Sequence, residues 1–217
     1  MMQNPIFNPI LATDSYKHSH FLQYPPEARR ISAYAESRPN PFADEVLFVG
    51  LQPYLIDYLG TPVTAAHVDE AEELCSAHGV PFNRAGWDAI VADHGGYLPI
   101  EISALPEGSL VPTSVPLFQV VNTDDRMPWL ATFIETAILR AVWYPTTVAT
   151  LSLKCKRVIA AGLEASSDDP AGQLPFKLHD FGARGVSSGE SAALGGMAHL
   201  VNFMGTDTLE GIMAARR

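Results

Sequence analysis

Cysteine is nearly absent from this chain: Cys75 and Cys155 are the two thiols among 217 residues. They lie far apart and have no metal-ligand spacing, so a disulfide scaffold and a zinc motif are both excluded, and they fit buried thiols in a reducing compartment. Positive charge is also scarce. Fourteen Lys and Arg stand against 24 Asp and Glu, a formal net charge of -10, with no basic run to offset it. That balance argues against a nucleic-acid surface, although one local Arg still suffices for a phosphate. Long apolar runs are missing too. The most apolar stretch, 129–144, is interrupted by Glu135 and Arg140, and it falls short of the ~20 apolar residues of a membrane span. The opening Met1-Met2-Gln3-Asn4-Pro5 carries no basic and apolar leader pattern. Internal repeats and low-complexity segments are absent. A soluble cytoplasmic protein is expected. At 47% hydrophobic and 18% charged residues, it has the composition of a globular chain with one or two cores.

What is present divides at about residue 165. Residues 30–36 alternate, with Ile31, Ala33 and Ala35 on one face, which predicts a half-buried strand ended by Pro39-Asn40-Pro41. Residues 46–59 lean to a helix ended by Gly60. Thr64 is placed to cap a helix over 65–78 stopped by Gly79 and Pro81, and Asn83 to cap another ended by Gly95-Gly96. Residues 99–121 read as β structure broken by prolines. Apolar residues recur at helical spacing from Leu130 to Ala141, and again after Pro145 from Val148 to Gly162. A polar loop is expected over 166–175. Beyond it the pattern reads strand 176–180, helix 188–199 with a capping box from Ser187 and Glu190, strand 200–204, helix 208–217. Strand, helix, strand, helix implies a parallel sheet with right-handed crossovers. Two such strands do not complete a sheet. The chain stops on Ala214-Ala215-Arg216-Arg217 inside an apparent helix, so the polypeptide is expected to continue or to be completed by a partner.

The segment Lys177-Leu178-His179-Asp180-Phe181-Gly182-Ala183-Arg184-Gly185-Val186-Ser187-Ser188 is the most informative. It places an aromatic ring and a guanidinium in one glycine-flanked turn. One unit later, Gly205-Thr206-Asp207-Thr208 ends the second expected strand. Ligands of parallel α/β folds gather at the carboxyl ends of strands. An aromatic face stacks on a planar ring, and an Arg holds a phosphate with two parallel bonds. Phe181, Arg184 and Asp207 therefore suit a small planar amide and a phosphate. The competing reading puts Phe181 in the core, Arg184 in a surface ion pair and Asp207 at the cap of the last helix. Asp180-Phe181-Gly182 also spells the magnesium motif of protein kinases, but the glycine-rich loop, V-A-I-K strand and H-R-D loop of those enzymes are missing. None of the seven histidines falls in a metal pattern; His179 stands out for its place beside Phe181. Near the N-terminus, Thr13 to His20 packs polar groups between apolar flanks, as a helix cap or a functional loop.

Together these segments resemble the nicotinamide phosphoribosyltransferase family. Five stretches carry the resemblance in order: Ala12-Thr13-Asp14-Ser15-Tyr16-Lys17 with His20 and Tyr24-Pro25-Pro26; Leu98 to Ile102 with Pro106-Glu107-Gly108; Trp143 to Thr150; Lys177 to Gly182 with Arg184 to Ser188; and His199 to Phe203 with Gly205 to Thr208. The resemblance covers about the N-terminal half of a family member. It implies an α/β fold. An α+β N-terminal domain over 1–165 would lead into the first units of an irregular barrel of the type II phosphoribosyltransferase kind over 166–217. It implies an enzyme of NAD salvage that joins nicotinamide to phosphoribosyl pyrophosphate, giving nicotinamide mononucleotide and pyrophosphate, with Mg2+ assisting and ATP stimulating the full-length enzyme. It implies a head-to-tail homodimer in which Phe181 and a Tyr16 from the other subunit sandwich the pyridine ring. Asp207 would accept a hydrogen bond from the carboxamide, Arg184 would hold the nucleotide phosphate, and Arg38 would reach the phosphoribosyl pyrophosphate across the dimer. Asp207 would repel a nicotinate carboxylate. Rival readings are a nicotinate phosphoribosyltransferase and a non-catalytic subunit of a split enzyme. Two departures stand out: Ala183 replaces the family's aromatic, and the loop 37–44 is shorter than in animal members. The family's downstream phosphorylated histidine, ribose-binding acidic pair and further phosphate ligands have no counterpart here, so weak ligand binding at most is expected of this chain by itself.

Overall fold

The structure is a computed structural model and describes residues 8–216. The leader reading at residues 1–5 and the last residue of the expected C-terminal helix lie outside the described residues. In chain order the elements are β1 (Ser32–Glu36), β2 (Glu45–Leu47), α1 (Leu51–Tyr54, continued as a π turn over Leu55–Leu59), α2 (Ala65–His78) and α3 (Arg84–His94). Then follow β3 (Ile100–Ala104), β4 (Leu110–Pro112), β5 (Pro116–Asn122), α4 (Leu130–Phe133), α5 (Glu135–Ser166), α6 (Pro170–Gln173), α7 (Gly189–Leu200) and α8 (Leu209–Ala215). Short 3-10 turns cover Ser15–Leu22, Leu174–Phe176 and Gly182–Gly185. The α/β class expected from the sequence is the class observed. Among the described residues no helix is long and apolar enough to cross a membrane.

The chain forms two compact units: Met1–Ala35, Tyr54–Ala104 and Pro116–Arg140 in the first, Glu36–Pro53, Leu105–Val115 and Ala141–Arg217 in the second. In the first, a sheet of order β1-β5-β3 has β3 antiparallel to β5, Ile100 opposite Asn122 and Ala104 opposite Phe118. Its core gathers Trp87, Trp129 and Phe133, whose rings meet edge to face at 5.0–5.5 Å, the geometry that aligns the positive edge of one ring with the negative face of the next. Helix α2 begins where Thr64 accepts from the His67 amide and the His67 ring accepts from the Thr64 amide, and it ends at Gly79 with φ 81°. Asn83 likewise caps α3, and Gly95 ends it at φ 61°. Both helices therefore start and stop at the residues their sequence signals indicate.

Asn122 organises the edge of the sheet. It is fully buried, accepts from the Ile31 amide at 2.7 Å and donates to the carbonyls of Arg29 and Asp124 at 2.7 and 2.8 Å. One side chain thus satisfies three backbone groups at the entry to β1 and the exit of β5. Asp124 continues this corner, bonded to Arg126 and to the His94 ring.

In the second unit β2 and β4 pair antiparallel, Glu45 opposite Pro112 and Leu47 opposite Leu110. The helix expected over 46–59 therefore begins later: its first residues pair as a strand, and Gly50, at φ 115°, turns the chain into α1. Helix α5 runs through Pro145 unbroken, although the two helical patterns around it read as separate. Proline leaves the carbonyl four residues earlier without its helical donor. That carbonyl, on Ala141, faces Gly50 so closely that an added Cβ would sit 2.5 Å from it. One turn later Thr146 bonds both the amide and the carbonyl of Val49, at 3.2 and 2.9 Å, and Thr150 accepts from the Leu47 amide at 2.9 Å. The Pro-Thr-Thr-Val-Ala-Thr motif is thus a docking ladder, its i and i+4 threonines on one face holding residues 47–49 along the helix.

Acid sensitivity of the first unit follows from Asp124. Hydrogen bonds from Arg126, with a smaller one from His94, hold its carboxyl well below the usual carboxylate range. A depressed folded pKa gives stability that is complete above the unfolded value, ~3.9, and is lost as pH falls below it. Asp124→Asn is expected to be less stable than wild type at pH 7 and to lose less on acidification from pH 5 to pH 2, as read by thermal unfolding midpoints.

Candidate functional site

The sequence-predicted ring, cation and carboxylate all fall between residues 179 and 208, on the loops that bracket α7. Two expected strands are absent there. Residues 174–176 form a 3-10 turn, α7 continues to Leu200, and the polar loop of 166–175 contains α6. What remains of the parallel pairing is a single bridge between Asp180 and Thr206, with the Asp207 amide donating to the Asp180 carbonyl at 2.9 Å. The reason lies in the anchors of the second segment. Asn202 donates to the Ala149 carbonyl at 2.9 Å, and Phe203 is buried, so the chain turns out of the helix instead of extending. The parallel sense of the pairing is as expected.

The helix start is shifted by one residue from the expected box. Ser188 is the N-cap and accepts from the Ser191 amide; Ser187 and Glu190 do not form the reciprocal pair. Helices α7 and α8 then cross at Gly196 and Gly211. A Cβ on Gly196 would lie 2.8 Å from the Gly211 Cα, and one on Gly211 would lie 2.6 Å from Gly196 backbone atoms. Gly195 makes a similar approach to the Tyr144 hydroxyl. Burial raises the Tyr144 pKa, and the negative charge of Asp180 adds to the effect.

Phe181 leaves 60% of its surface exposed. Its ring lies 6.3 Å from that of His179, the planes 24° apart. His179 Nδ1 is 3.2 Å from Asp207 Oδ2; the carboxylate only accepts, so Nδ1 carries the hydrogen of this bond. The Asp180 carboxylate accepts from the Gly182 amide at 2.7 Å, which folds the turn that exposes Phe181 and accounts locally for the Asp-Phe-Gly spelling. Arg184 is exposed in the 3-10 turn Gly182–Gly185, and among the described residues it forms no ion pair. Ala183 is exposed in the same turn. The competing placement therefore fails at each point: Phe181 is outside the core, Arg184 is unpaired, and the cap of α8 is Thr208.

His199 and Ser152 belong to this neighbourhood and were not singled out from the sequence. His199 is 6% exposed, with Nε2 2.9 Å from the Gly205 carbonyl and Nδ1 3.2 Å from the Ser152 hydroxyl. A carbonyl only accepts, so Nε2 carries the proton and Ser152 donates to Nδ1. Gly205 in turn abuts the His179 ring, 2.5 Å from where a Cβ would stand. The legible signal was a histidine and a serine at buried positions of two helical stripes.

Tyr16 belongs to the first unit. It lies on the turn Ser15–Leu22, 55% exposed, with its ring 5.3 Å from that of His20. The turn is pinned beneath it: Lys17 is buried and paired with Glu135, Asp14 accepts from Thr136, and Thr13 donates to the Phe133 carbonyl. Asp14 stands at the N-cap position without a capping bond. Arg38 is exposed just after β1. Among the described residues no three His, Cys, Asp or Glu side chains converge as a metal cage.

This geometry coincides with likeness to known proteins. Residues 176–216 match the nicotinate phosphoribosyltransferase family, and residues 8–102 match the nicotinamide phosphoribosyltransferase N-terminal domain. The crystal structure of human nicotinic acid phosphoribosyltransferase superposes with a TM-score of 0.65 at 24% identity, covering 94% of this chain and 37% of that one. That of nicotinate-nucleotide pyrophosphorylase from Pyrococcus furiosus gives 0.56 at 18%, over 99% and 42%. The fold is of the type II phosphoribosyltransferase class. Nicotinamide phosphoribosyltransferase of Xanthomonas campestris pv. campestris (strain 8004) is 54% identical over 209 residues, 96% of this chain and 44% of that protein. The namesake from Acinetobacter baylyi is 32% identical over 226 residues, 94% and 43%. The chain is thus nicotinamide phosphoribosyltransferase-like, and it spans less than half the length of these relatives.

The glycine crossing sets a stability test. Gly211→Ala forces backbone against backbone and is expected to cost about 1–3 kcal/mol. Gly189→Ala, at a position with nothing within 4 Å of a new Cβ, is expected to leave the unfolding midpoint unchanged or raised. Thermal unfolding of the two variants beside wild type checks this.

Proposed function

We propose that this chain supplies the nicotinamide-binding part of a nicotinamide phosphoribosyltransferase. The reaction joins the pyridine nitrogen to C1 of the ribose in phosphoribosyl pyrophosphate. The bond from C1 to the pyrophosphate oxygen breaks, and pyrophosphate leaves with the electron pair. Charge develops on the leaving group as C1 takes on oxocarbenium character, so fixed cations near the phosphates lower the barrier. Magnesium, in this reading, arrives with the pyrophosphate of the substrate.

The observation that carries the reading is the exposed Phe181 ring beside a carboxylate held in place, Asp207. Phe181 offers one face to the pyridine ring. Asp207 accepts from the carboxamide nitrogen, and Arg184, unpaired in its turn, takes a phosphate. Tyr16 of a second copy closes the other face of the ring, and Arg38 of that copy reaches the phosphoribosyl pyrophosphate. The supporting features are that Tyr16 is exposed while its turn is anchored through Lys17 and Asp14, and that Arg38 is exposed. The nicotinate reading is disfavoured because Asp207 would meet a second carboxylate, an unpaired like charge that acts against the wrong substrate.

The test is a competition of nicotinamide with nicotinate, at saturating phosphoribosyl pyrophosphate, in the complete gene product. Wild type is expected to favour the amide strongly. Asp207→Asn is expected to lower the amide-over-acid ratio of kcat/KM by about tenfold or more, ~1.4 kcal/mol, chiefly by loss of amide binding and relief of repulsion toward the acid. An unchanged ratio would sink the assignment of Asp207.

A further inference from the structure

We propose that His199 is a positioning residue for amide selection, acting through Gly205 on Asp207; this rests on the reading of Asp207 given above. The Gly205-Thr206-Asp207 turn is held from two sides. Residues 201–208 contain no strand, and the parallel pairing with residue 180 is one bridge. Beside that bridge, the Met204 and Gly205 amides donate to the Pro175 carbonyl at 2.8 and 3.4 Å, and the Thr208 amide donates to the Thr206 hydroxyl at 3.1 Å. The Asp207 amide bonds the Asp180 carbonyl at 2.9 Å, and the Thr208 side chain makes no capping bond to α8.

The Gly205 carbonyl is held from beneath. His199 sits at the end of α7, only 6% exposed, its ring stacked on Phe203 at 5.2 Å with 13° between planes. Nε2–H donates to the Gly205 carbonyl, two residues before Asp207, and Nδ1 accepts from Ser152 on α5. The Gly205 carbonyl fixes the tautomer: it only accepts, so the proton sits on Nε2, and the Ser152 hydroxyl donates to Nδ1 and holds the ring in place. Phe203 holds the ring plane, and Asn202, bonded to the Ala149 carbonyl, ties the intervening residue to the same helix. Gly205 transmits the position upward. With no Cβ it lies against the His179 ring, and His179 donates to Asp207 Oδ2. An unbroken run of contacts therefore leads from Ser152 through His199, Gly205 and His179 to the carboxylate.

Its consequence is specific. Loss of the His199 bond frees the Gly205 carbonyl and lets the turn drift, while Phe181 and Arg184 stay in the turn of 181–185, which the Gly182 amide closes on the Asp180 carboxylate. Interactions with the carboxamide present in ground state and transition state alike appear in KM, not in kcat. His199→Leu is therefore expected to raise the nicotinamide KM by about tenfold, the equivalent of ~1.4 kcal/mol, to leave the phosphoribosyl pyrophosphate KM unchanged, and to lower the amide-over-acid ratio about as much. His199→Gln, whose amide NH2 replaces Nε2–H, is expected to recover most of the preference. Ser152→Ala is expected to shift the ratio the same way by a smaller factor, and it serves if His199→Leu does not fold.

Amide hydrogen exchange at Asp207 supplies a readout independent of turnover. It is expected to quicken about tenfold or more in His199→Leu, while amides of α2 are unmoved. Unchanged exchange at Asp207, or a proportional loss of turnover with amide, acid and phosphoribosyl pyrophosphate alike, would overturn the proposal. If wild type transfers nothing to nicotinamide, the functional reading fails and the specificity role falls with it; the exchange arm, responding on its own, distinguishes that outcome from a failure of the His199 contact.

Discussion

Helices α7 and α8 meet backbone to backbone at Gly196 and Gly211, and the candidate site depends on that contact. The turn carrying Phe181 and Arg184 enters α7; the turn carrying Asp207 leaves it and enters α8. If the helices were held apart by side chains, Asp180 and Thr206 would lose their bridge and the ring and carboxylate would no longer share one surface. Small residues here do what a full ladder of parallel strands would otherwise do. They let one helix pair define the separation of two loops.

Charge is used sparingly around that surface. The chain carries a formal net charge of -10, yet Asp207 faces an imidazole and the nearby guanidinium of Arg184 is left unpaired. Beneath that surface, His199 bonds the Gly205 carbonyl and the Ser152 hydroxyl, and Asn202 donates to the Ala149 carbonyl. Their order is structural in kind, since satisfied buried networks fix a geometry whereas partly satisfied ones weaken it.

Much of this was legible from residues alone. Helices α2 and α3 start at Thr64 and Asn83 and stop at Gly79 and Gly95 because capping side chains and left-handed glycines act locally, and local signals survive into the fold. Phe181, Arg184 and Asp207 were found for a related reason: each sits in a glycine-bearing turn next to an apolar segment. The strands expected over 176–180 and 200–204 were not realised because strand formation needs partners. Apolar residues there, Phe203 above all, are buried against helices instead. The shift of β2 into a segment read as helix has the same origin, since Glu45–Leu47 takes its partner from Leu110–Pro112, far along the chain. His199 stood in a stretch that carried the family resemblance but was given no role, because a hydrogen bond to a carbonyl six residues on leaves no mark in the residue types.

The central claim is that the surface of Phe181, His179 and Asp207 receives a planar aromatic amide. A crystal structure of the protein soaked with nicotinamide tests it most directly. The account predicts the pyridine ring parallel to Phe181, with the carboxamide nitrogen within hydrogen-bond reach of Asp207. A ring bound elsewhere, or bound here with its carboxamide turned away from Asp207, would contradict it.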